Sequence, residues 1–496
     1  MNRNVLLIIA DEFRADCLSA LGHPMVKTPN LDALARDGVL FTKCFVQAAP
    51  CGPSRMSIYT GRYMCSHQSL DNKTPLAEAD DTLGMHLRRH GHAPGIMGYN
   101  DYAYDPRILP EGHPNKTSLN YDNFLPGFDV VLFHEYDSPE WYAGLIKKGY
   151  PEALCHRNTM YYPEEPEEGF GEHLGCIHPA RYRAEDSEAQ FLTSTAIDFA
   201  TLRKDAGWFL SLNYVKPHGP YICPAPYHEM YDPKEVPLPV RRPEELTNPL
   251  PYFARIGQYA QDQLMKEYEW RELRACYYGM ITELDACLGR LFQFLKDTGQ
   301  WDSTLIIFTS DHGSYMGDHY MQGKSHFYDS AMRVPYIVRD PSPEADATRG
   351  TKVDDFIESI DIAPTVCEFL GVPRHERFQG HSVLGYTRGT QNTPLRNRIF
   401  HEFFYYSLLK PEIRDVTNPD ACRSWTVRDN HFKYVQFGEE TLPPLLFDLQ
   451  NDPGEFDNLA QKPEYAAVVA EYCQHLIRWR IKHEDIRMER WALQYR

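Results

Sequence analysis

The sequence predicts an α/β fold followed by a smaller antiparallel β region. Two apolar runs, Val5–Ile9 and Thr304–Thr309, have the length and composition of strands that are covered on both faces of a sheet. Between them, Glu272–Lys296 repeats apolar residues at helical spacing, which is typical of a core-facing amphipathic helix. Because strand and helix signals alternate in this way, we expect helices packed on a largely parallel sheet.

The remaining elements follow in chain order. Residues 110–185 are rich in Pro, Gly, Tyr, Glu and His and have weak periodicity, so we expect long excursions that shape a substrate entrance. Gly299 is placed to end the long helix, and Ser359–Leu370 predicts another helix. Beyond about residue 375, short runs such as His401–Tyr406 alternate aromatic and charged residues, which favours antiparallel strands.

This change of pattern predicts two units, a catalytic α/β domain over residues 1–375 and an α+β subdomain over 376–496. A helix over Pro463–Lys482 and a basic, aromatic tail close the second unit. The tail, Trp491–Arg496, is expected to contribute to contacts with another subunit.

Charge and composition exclude several classes of function. The formal net charge is −18, which repels nucleic acid and anionic lipid, so we expect no nucleic-acid or membrane partner. The N-terminal apolar run Val5–Ala10 is too short for a signal segment or a membrane span, which predicts a cytoplasmic protein. The twelve cysteines include no C-x-x-C pair, so buried thiols are expected rather than disulfides or a cysteine zinc site.

Acidic residues follow both apolar strands. Asp11-Glu12 and Asp311-His312 stand at the carboxyl ends of these strands, the edge at which open α/β sheets bind ligands. If the strands are neighbours, three carboxylates and one imidazole converge, a set that suits Mn²⁺, Ca²⁺ or Mg²⁺ and, less well, Zn²⁺. A single Asp after a strand is more often only a turn residue, and Glu12 could instead cap the next helix.

The most specific motif is Cys51-Gly52-Pro53-Ser54-Arg55, followed by Thr60-Gly61-Arg62. Taken alone, Cys51 would most often be a buried structural thiol. The complete run, however, resembles the signature of the formylglycine sulfatases, in which a maturation enzyme oxidises the cysteine to Cα-formylglycine. The resemblance implies a nucleophile with two hydroxyls on one carbon: one attacks the ester, and the other expels the bound group.

With the acidic strand ends, the chain resembles the alkaline-phosphatase superfamily over almost its whole length. It is most similar to the phosphonate monoester hydrolases and their cytoplasmic arylsulfatase relatives, on the runs Gly299–Asp302, Asp311–Gly313, Gly317–His319 and Pro443–Asn458. The resemblance implies a sandwich with a large, mostly parallel sheet between helices and a smaller C-terminal antiparallel sheet. It also implies a homodimer or homotetramer.

The resemblance extends to individual site residues. It implies one divalent metal ion held by Asp11, Glu12, Cys51 as formylglycine, Asp311 and His312. It also implies that the reacting group is surrounded by Arg55, Asn72, Tyr99, His218 and Lys324. Arg55 can orient the hydrate, Lys324 can neutralise a non-bridging oxygen, and His218 can donate a proton to the leaving oxygen. From local sequence alone, His218 could be structural and Lys324 a surface lysine.

Two positions depart from the related families and affect the expected substrate. Asp101 stands where phosphonate monoester hydrolases tend to carry a hydroxyl residue, and its carboxylate would repel a second negative charge or bind a cationic substrate group. Ser54 stands where the phosphonate group usually has Ala and sulfatases favour Ser. Ser54 therefore favours sulfate esters.

Three hypotheses follow. The first is a hydrolase of sulfate monoesters of the arylsulfatase type, acting through formylglycine and a divalent metal and also accepting phosphonate monoesters and phosphodiesters. The second has phosphonate monoester or phosphodiester hydrolysis as its main activity. The third is an inactive binding protein on the same fold, in which Cys51 stays unmodified. The first two require a small anionic ester as substrate and a formylglycine-generating enzyme as maturation partner.

Overall fold

The structure of the chain, a computed structural model, describes residues 3–116, 123–135, 138–163, 177–257 and 267–484. The strands are β1 (Asn4–Asp11), β2 (Val39–Phe45), β3 (Ala48–Ala49), β4 (Gly95–Gly98), β5 (Asp129–Phe133), β6 (Phe209–Pro217), β7 (Thr304–Ser310), β8 (Arg333–Arg339), β9 (Thr351–Glu358), β10 (Ile399–Phe404), β11 (Arg423–Arg428), β12 (Phe432–Phe437) and β13 (Leu445–Asp448). The helices are α1 (Pro29–Arg36), α2 (Cys51–Thr60), α3 (Met64–His67), α4 (Leu83–Arg89), α5 (Pro139–Lys147), α6 (Arg157–Met160), α7 (Glu188–Leu202), α8 (Glu244–Thr247), α9 (Glu267–Asp297), α10 (Asp329–Met332), α11 (Ile362–Leu370), α12 (Leu384–Thr387), α13 (Pro411–Arg414) and α14 (Ala466–Lys482).

The larger sheet has eight strands in the order β5-β4-β6-β1-β7-β8-β2-β9. All neighbouring pairs are parallel except the two that involve β8. β1 lies between β6 and β7, so the two apolar strands predicted from the sequence are direct neighbours. The predicted α/β fold with a large, mostly parallel sheet is confirmed.

Helices cover both faces of this sheet, as the side chains of β1 illustrate. Leu6 and Ile8 belong to a core cluster with α7 and α9, whereas Leu7 and Ile9 belong to a second cluster with α2 and α11. All four side chains are buried, and burial of a Leu or Ile side chain contributes about 1.5–3 kcal/mol. The continuous apolar run in the sequence therefore reflects burial on both faces.

The smaller sheet has five strands in the order β13-β12-β11-β10-β3. Its C-terminal strands pair antiparallel, as predicted, and α14 packs on β11 and β12. The fifth strand, β3, comes from the N-terminal part of the chain and pairs parallel to β10 directly before α2. The predicted boundary at residue 375 stays a prediction, since the small sheet draws residues from both sides of it.

Residues 110–185 contain more regular structure than the sequence indicated. β5 forms an edge of the large sheet and α5 follows it, so this region is not composed of loops alone. The predicted subunit contact of Trp491–Arg496 lies outside the described residues. Within the described part of the chain, no helix combines the length and apolar character needed to cross a membrane.

Candidate active site

Two carboxylates meet where β1 and β7 end. Ala10 is paired with Ser310 in the parallel register, so Asp11 and Asp311 leave the sheet side by side. The hydroxyl of Ser310 donates a hydrogen bond to the carbonyl of Ala10 (2.6 Å) and accepts one from the N–H of Phe13 (2.8 Å). These bonds connect the two strand ends and hold the buried carboxylates close together.

The cysteine of the sequence motif lies next to these carboxylates. Cys51 is the first residue of α2, and its Sγ lies 3.2 Å from Nε2 of His312 and 4.0 Å from Oδ1 of Asp11. Nε2 of His312 also lies 3.5 Å from Asp11 and 3.7 Å from Oδ1 of Asp311. The structure therefore brings four predicted residues to one point, and all four are buried.

Gly52 allows the start of α2 to sit close to the following loop. Its N–H donates a 2.9 Å hydrogen bond to Oδ1 of Asn72, and a Cβ at this position would lie 3.2 Å from the Cα of Asn72 and 3.4 Å from the Cγ of Asp101. Contacts this short leave little room for any larger residue. Asn72 therefore contacts the backbone next to Cys51.

Arg55 lies behind the two aspartates. Its Nε donates to Oδ2 of Asp311 (2.9 Å), and its Nη2 lies 3.4 Å from Oδ2 of Asp11. Nη1 donates to the carbonyl of Tyr99 (2.7 Å) and to Oδ1 of Asn213 (3.1 Å). Every nitrogen of this fully buried guanidinium has a protein acceptor, so it neutralises and orients the carboxylates.

Glu12 points to a different set of partners. Its Oε1 accepts hydrogen bonds from the hydroxyls of Ser314 (2.6 Å) and Tyr221 (2.7 Å). Its Oε2 lies 3.4 Å from Nε2 of His218 and 3.6 Å from Nζ of Lys324. The backbone of Glu12 has φ = 68°, an uncommon conformation for a residue with a side chain, and this turns the chain away after β1.

The ionisation of the carboxylates reflects a balance between burial and nearby cations. Burial acts to raise the pKa of Asp311, but Arg55, His312 and Lys324 outweigh it and leave that pKa below its usual value. For Glu12, burial is likewise outweighed by His218 and Lys324, so its pKa is also lowered. Both groups are therefore carboxylates at neutral pH.

Burial and nearby charges also shift the pKa values of Lys324, His312 and Cys51. Burial opposes the charge on Lys324, but Cys51, Asp11 and Glu12 raise the pKa of its ammonium well above the usual value. Burial lowers the pKa of His312, which favours the neutral imidazole that binds metals. Burial and Asp11 raise the pKa of the Cys51 thiol well above its usual value.

Tyr99 and Asp101 form a pair beside Arg55. The guanidinium of Arg55 lies over the ring of Tyr99 at 4.5 Å from its centroid, and the hydroxyl of Tyr99 donates a 2.9 Å hydrogen bond to Oδ2 of Asp101. Burial raises the pKa of Asp101 to about 7, although the bond from Tyr99 acts in the opposite direction. Asp101 therefore adds a carboxyl group next to the predicted site that can exchange a proton near neutral pH.

The residues at the strand ends fit a divalent cation. Two buried carboxylate oxygens and an imidazole nitrogen lie within 4.8 Å of one another and of the position that Cys51 occupies. Oxygen donors with one nitrogen match the preferences of Mn²⁺, Ca²⁺ and Mg²⁺. A second group of possible ligands consists of Asp11, Glu12 and His218, so Asp11 is common to both groups and Glu12 lies next to the first one.

The structure brings most of the predicted residues around this point, some of them indirectly. Lys324 and His218 reach it with partly exposed side chains, at 14% and 25% exposure. Asn72, Tyr99 and Asp101 contact the start of α2 or Arg55. Sequence reasoning missed Ser314 and Tyr221, which hold Glu12, although both lie within three residues of predicted site residues.

The sequence matches two known family profiles. The family described as "Sulfatase" matches residues 3–372, and the one described as "N-sulphoglucosamine sulphohydrolase, C-terminal" matches residues 317–482. Among curated proteins, the "Multifunctional alkaline phosphatase superfamily protein PehA" of Trinickia caryophylli is 36% identical, over 97% of this chain and 96% of its own length. An "Arylsulfatase" of Clostridium perfringens (strain 13 / Type A) is 26% identical, over 94% and 92% of the two chains.

Two solved structures are similar over nearly the entire length. The phosphonate monoester hydrolase of Agrobacterium radiobacter has a TM-score of 0.87 and 36% identity, and the alignment covers 97% of this chain and 96% of that one. The phosphonate monoester hydrolase SpPMH of Silicibacter pomeroyi has a TM-score of 0.88 and 34% identity, with coverage of 98% and 96%.

Proposed function

The chain belongs to the sulfatase family, and from this premise we propose that it hydrolyses sulfate monoesters with a nucleophile made from Cys51, and also accepts phosphonate monoesters and phosphodiesters. Its resemblance to sulfatases and phosphonate monoester hydrolases is confirmed, and it is an ester hydrolase. The family does not favour the hypothesis of an inactive binding protein. One observation carries the proposal: Cys51, Asp11, Asp311 and His312 converge in one buried cluster.

The environment of Cys51 does not favour a thiolate nucleophile, because burial raises the pKa of its thiol well above the usual value. A buried thiol that stays protonated at neutral pH is a weak nucleophile. Converted to Cα-formylglycine, Cys51 would supply the hydroxyls of a hydrated aldehyde, one to attack the ester and one to expel the bound group. The first residue of α2 is a suitable place for this reaction, because the helix N-terminus favours negative charge.

We propose that Asp11, Asp311, His312 and the modified Cys51 hold one divalent cation, with Glu12 as a fifth ligand. Such a cation would lower the pKa of an oxygen nucleophile and offset negative charge on the ester. Arg55 has a separate role, since its guanidinium fixes the outer oxygens of Asp311 and Asp11. These contacts leave Oδ1 of each aspartate directed to the cluster.

His218 is proposed to transfer a proton to the leaving oxygen. Its Nδ1 donates a 2.7 Å hydrogen bond to the carbonyl of Gly219, so proton exchange takes place at Nε2. Nε2 lies 3.4 Å from Oε2 of Glu12, a contact that orients the nitrogen from which the proton would be transferred. The partial exposure of His218 leaves room for a leaving alcohol.

Lys324 is proposed to bind a non-bridging oxygen of the ester. Its ammonium stays charged across the neutral range, because the nearby carboxylates of Asp11 and Glu12 help to hold its pKa well above the usual value. It is partly exposed, so an anionic ester can reach it. Removal of one donor that stabilises charge developing in a transition state typically costs about 10²–10³ in rate, and we expect an effect of this size for Lys324.

The charges around the site favour esters with a single negative charge. Arg55 is occupied by its own carboxylates, so among the described residues of the proposed site we expect Lys324 to be the cation that faces the ester. The Glu12 carboxylate adds a negative charge nearby. Asp101 adds a carboxyl group with a pKa of about 7. Sulfate monoesters, phosphonate monoesters and phosphodiesters are all monoanions, so one site can serve the three classes.

A second candidate for the main activity is phosphonate monoester hydrolysis. Two similar structures carry that name, at 36% and 34% identity. On sequence grounds, Ser54 is a feature that favours sulfate esters. In the structure, its hydroxyl donates a hydrogen bond to the carbonyl of Asp311, so Ser54 has a structural role at the end of β7 that does not depend on the substrate. The relative kcat/KM values for phenyl sulfate and for phenyl phenylphosphonate distinguish the two candidates.

The test uses metal-loaded protein produced together with a formylglycine-generating enzyme. The proposal expects turnover of both esters, loss of turnover in the presence of a chelator, and a higher kcat/KM for the sulfate ester. A phosphonate ester that is preferred by orders of magnitude would replace the first candidate with the second. Absence of turnover of both esters would contradict the proposed function itself.

The cellular setting is part of the same proposal. The cysteines within the described part of the chain are all unpaired thiols, which favours a reducing compartment such as the cytoplasm. The formylglycine-generating enzyme is the implied maturation partner, and a small anionic ester is the substrate. We keep a homodimer or homotetramer as the proposed assembly.

A further inference from the structure

A cavity extends from the site toward the end of β5. Its walls include Asp11, Tyr99 and His218 from the site and, beyond them, Glu135, Tyr161 and Glu188. An ester bound between His218 and Lys324 would have its alcohol part next to this cavity, because His218 is the proposed proton donor to the leaving oxygen. The far wall is therefore in a position to contact the alcohol.

Glu135 is the unusual member of this wall. Its side chain is 7% exposed, and its Oε1 accepts hydrogen bonds from the backbone N–H of Asn100 (2.8 Å), from Nδ2 of Asn100 (2.6 Å) and from the N–H of Asp101 (3.3 Å). Its Oε2 has no hydrogen-bond partner among the described residues. A buried polar atom without a partner is destabilising, so this oxygen is available to a hydrogen-bond donor or cation of a ligand.

The other ionisable groups beyond the site already have partners. Glu188 is bonded to His134 and accepts a 2.6 Å hydrogen bond from Tyr161, and Lys216 is paired with Glu283. Arg157, which also lines the cavity, has interactions of its own. Among the described residues, no cationic side chain lies within ion-pair distance of the Glu135 carboxyl, and Arg55 acts on it only from farther away.

We propose that Glu135 is a specificity-determining residue, whose Oε2 binds an ammonium group on the alcohol part of the ester. This inference rests on the proposed function, since it assigns the alcohol to the cavity beside His218. Oε1 is fixed by Asn100 and Asp101, which pre-orients the carboxyl for a single additional partner. Burial raises the pKa of Glu135 well above its usual value, so an ammonium that binds at Oε2 would displace the carboxyl proton and form the ion pair in its place.

The test compares two aryl sulfates of equal shape, 3-(aminomethyl)phenyl sulfate and 3-ethylphenyl sulfate. In Glu135→Gln, the amide oxygen can still accept from Asn100 and Asp101, while an N–H group replaces Oε2 and repels the ammonium. We expect the ratio of kcat/KM values, cationic over neutral, to fall about tenfold in Glu135→Gln. The inductive effect of the ammonium on the leaving group is the same in each variant and cancels.

Glu140→Gln is the matched control, since Glu140 is an exposed acid on α5 outside the cavity and its substitution removes the same charge. Its ratio should equal that of the wild type. An unchanged cationic-over-neutral ratio of kcat/KM in Glu135→Gln, or an equal fall of this ratio in both variants, would overturn the inference. Neither result would contradict the proposed function. Absence of turnover of 3-ethylphenyl sulfate by the wild type would instead contradict the proposed function.

A binding measurement tests the inference without catalysis. Isothermal titration calorimetry with 3-(aminomethyl)phenol and 3-ethylphenol measures the affinity of the free alcohols for the wild type and both variants. We expect the aminomethyl compound to bind the wild type about tenfold more tightly than the ethyl compound, and this preference to disappear only in Glu135→Gln. Equal affinities of the two alcohols for the wild type would also overturn the inference.

Discussion

Substitution of Arg55 by Met tests how the two aspartates are held. Met has a similar length but no charge, so Arg55→Met leaves Asp11 and Asp311 buried without the cation that lies 2.9–3.4 Å from their outer oxygens. Removing one partner of a buried ion pair typically costs about 3–5 kcal/mol. Unfolding entropy is about 2.1 cal/mol/K per residue, or about 1 kcal/mol/K for a chain of 496 residues. We therefore expect Tm to fall by about 4 °C in EDTA.

Scanning calorimetry in EDTA and in saturating Mn²⁺ measures this effect. A divalent cation supplies the missing positive charge, so Mn²⁺ should raise the Tm of Arg55→Met by more than it raises the Tm of the wild type. Arg88→Met is the control, because Arg88 pairs with Asp129 at the surface and such pairs contribute about 0–1 kcal/mol. Equal Tm values for Arg55→Met and the wild type in EDTA would refute the proposed role of Arg55.

Three further predictions concern Lys324, the substrate charge and His326. Lys324→Met should lower kcat/KM for phenyl sulfate by about 10²–10³. Its Tm should fall less than that of Arg55→Met. An unchanged kcat/KM would show that Lys324 has no part in the mechanism. Phenyl phosphate, a dianion at pH 8, should be hydrolysed at least about tenfold less efficiently than phenyl sulfate, and equal efficiency would contradict the charge argument. Burial lowers the pKa of His326 in the folded protein to about 3, whereas its value in the unfolded chain is about 6.5. The unfolded chain therefore binds a proton at His326 between about pH 6.5 and 3 that the folded protein does not bind. The contribution of neutral His326 to the free energy of unfolding is complete above about pH 6.5 and is lost as the pH falls toward 3. Urea unfolding between pH 6 and 4.5 should show that the free energy of unfolding of His326→Gln falls less steeply with decreasing pH than that of the wild type, by about 1.4 kcal/mol per pH unit. Parallel pH profiles for the two proteins would exclude His326 as a contributor.

The strand-end cluster was predictable from sequence because its signals are local. Two apolar runs end in acidic residues, and parallel neighbours bring their carboxyl ends to the same edge. That rule places Asp11 beside Asp311 once the strands are adjacent. Cys51 required the resemblance to sulfatases, since no rule of periodicity brings the start of α2 to that edge.

The direction of Glu12 was not predictable in the same way. It follows the same strand as Asp11, but its φ of 68° and its bonds to Tyr221 and Ser314 turn it toward His218. Those partners are 209 and 302 residues away, so only the assembled fold defines them. The proposed ligand role of Glu12 therefore depends on the bound cation.

Glu135 and β5 were missed for a related reason. β5 has only five residues at the edge of the sheet, and none of them is fully buried, so its sequence carries little strand signal. Glu135 lies two residues beyond it, in a region that the sequence assigned to loops. Its partners Asn100 and Asp101 follow the neighbouring strand, β4 (Gly95–Gly98), which was not identified from the sequence either.

Peptide mass spectrometry across Cys51, combined with turnover, tests the central claim most directly. Samples produced with increasing amounts of formylglycine-generating enzyme should contain increasing fractions of the aldehyde at residue 51. The account predicts that kcat for the preferred ester rises in proportion to that fraction and is lost in Cys51→Ala. Full turnover by protein that carries only the unmodified thiol, or by Cys51→Ala, would contradict it.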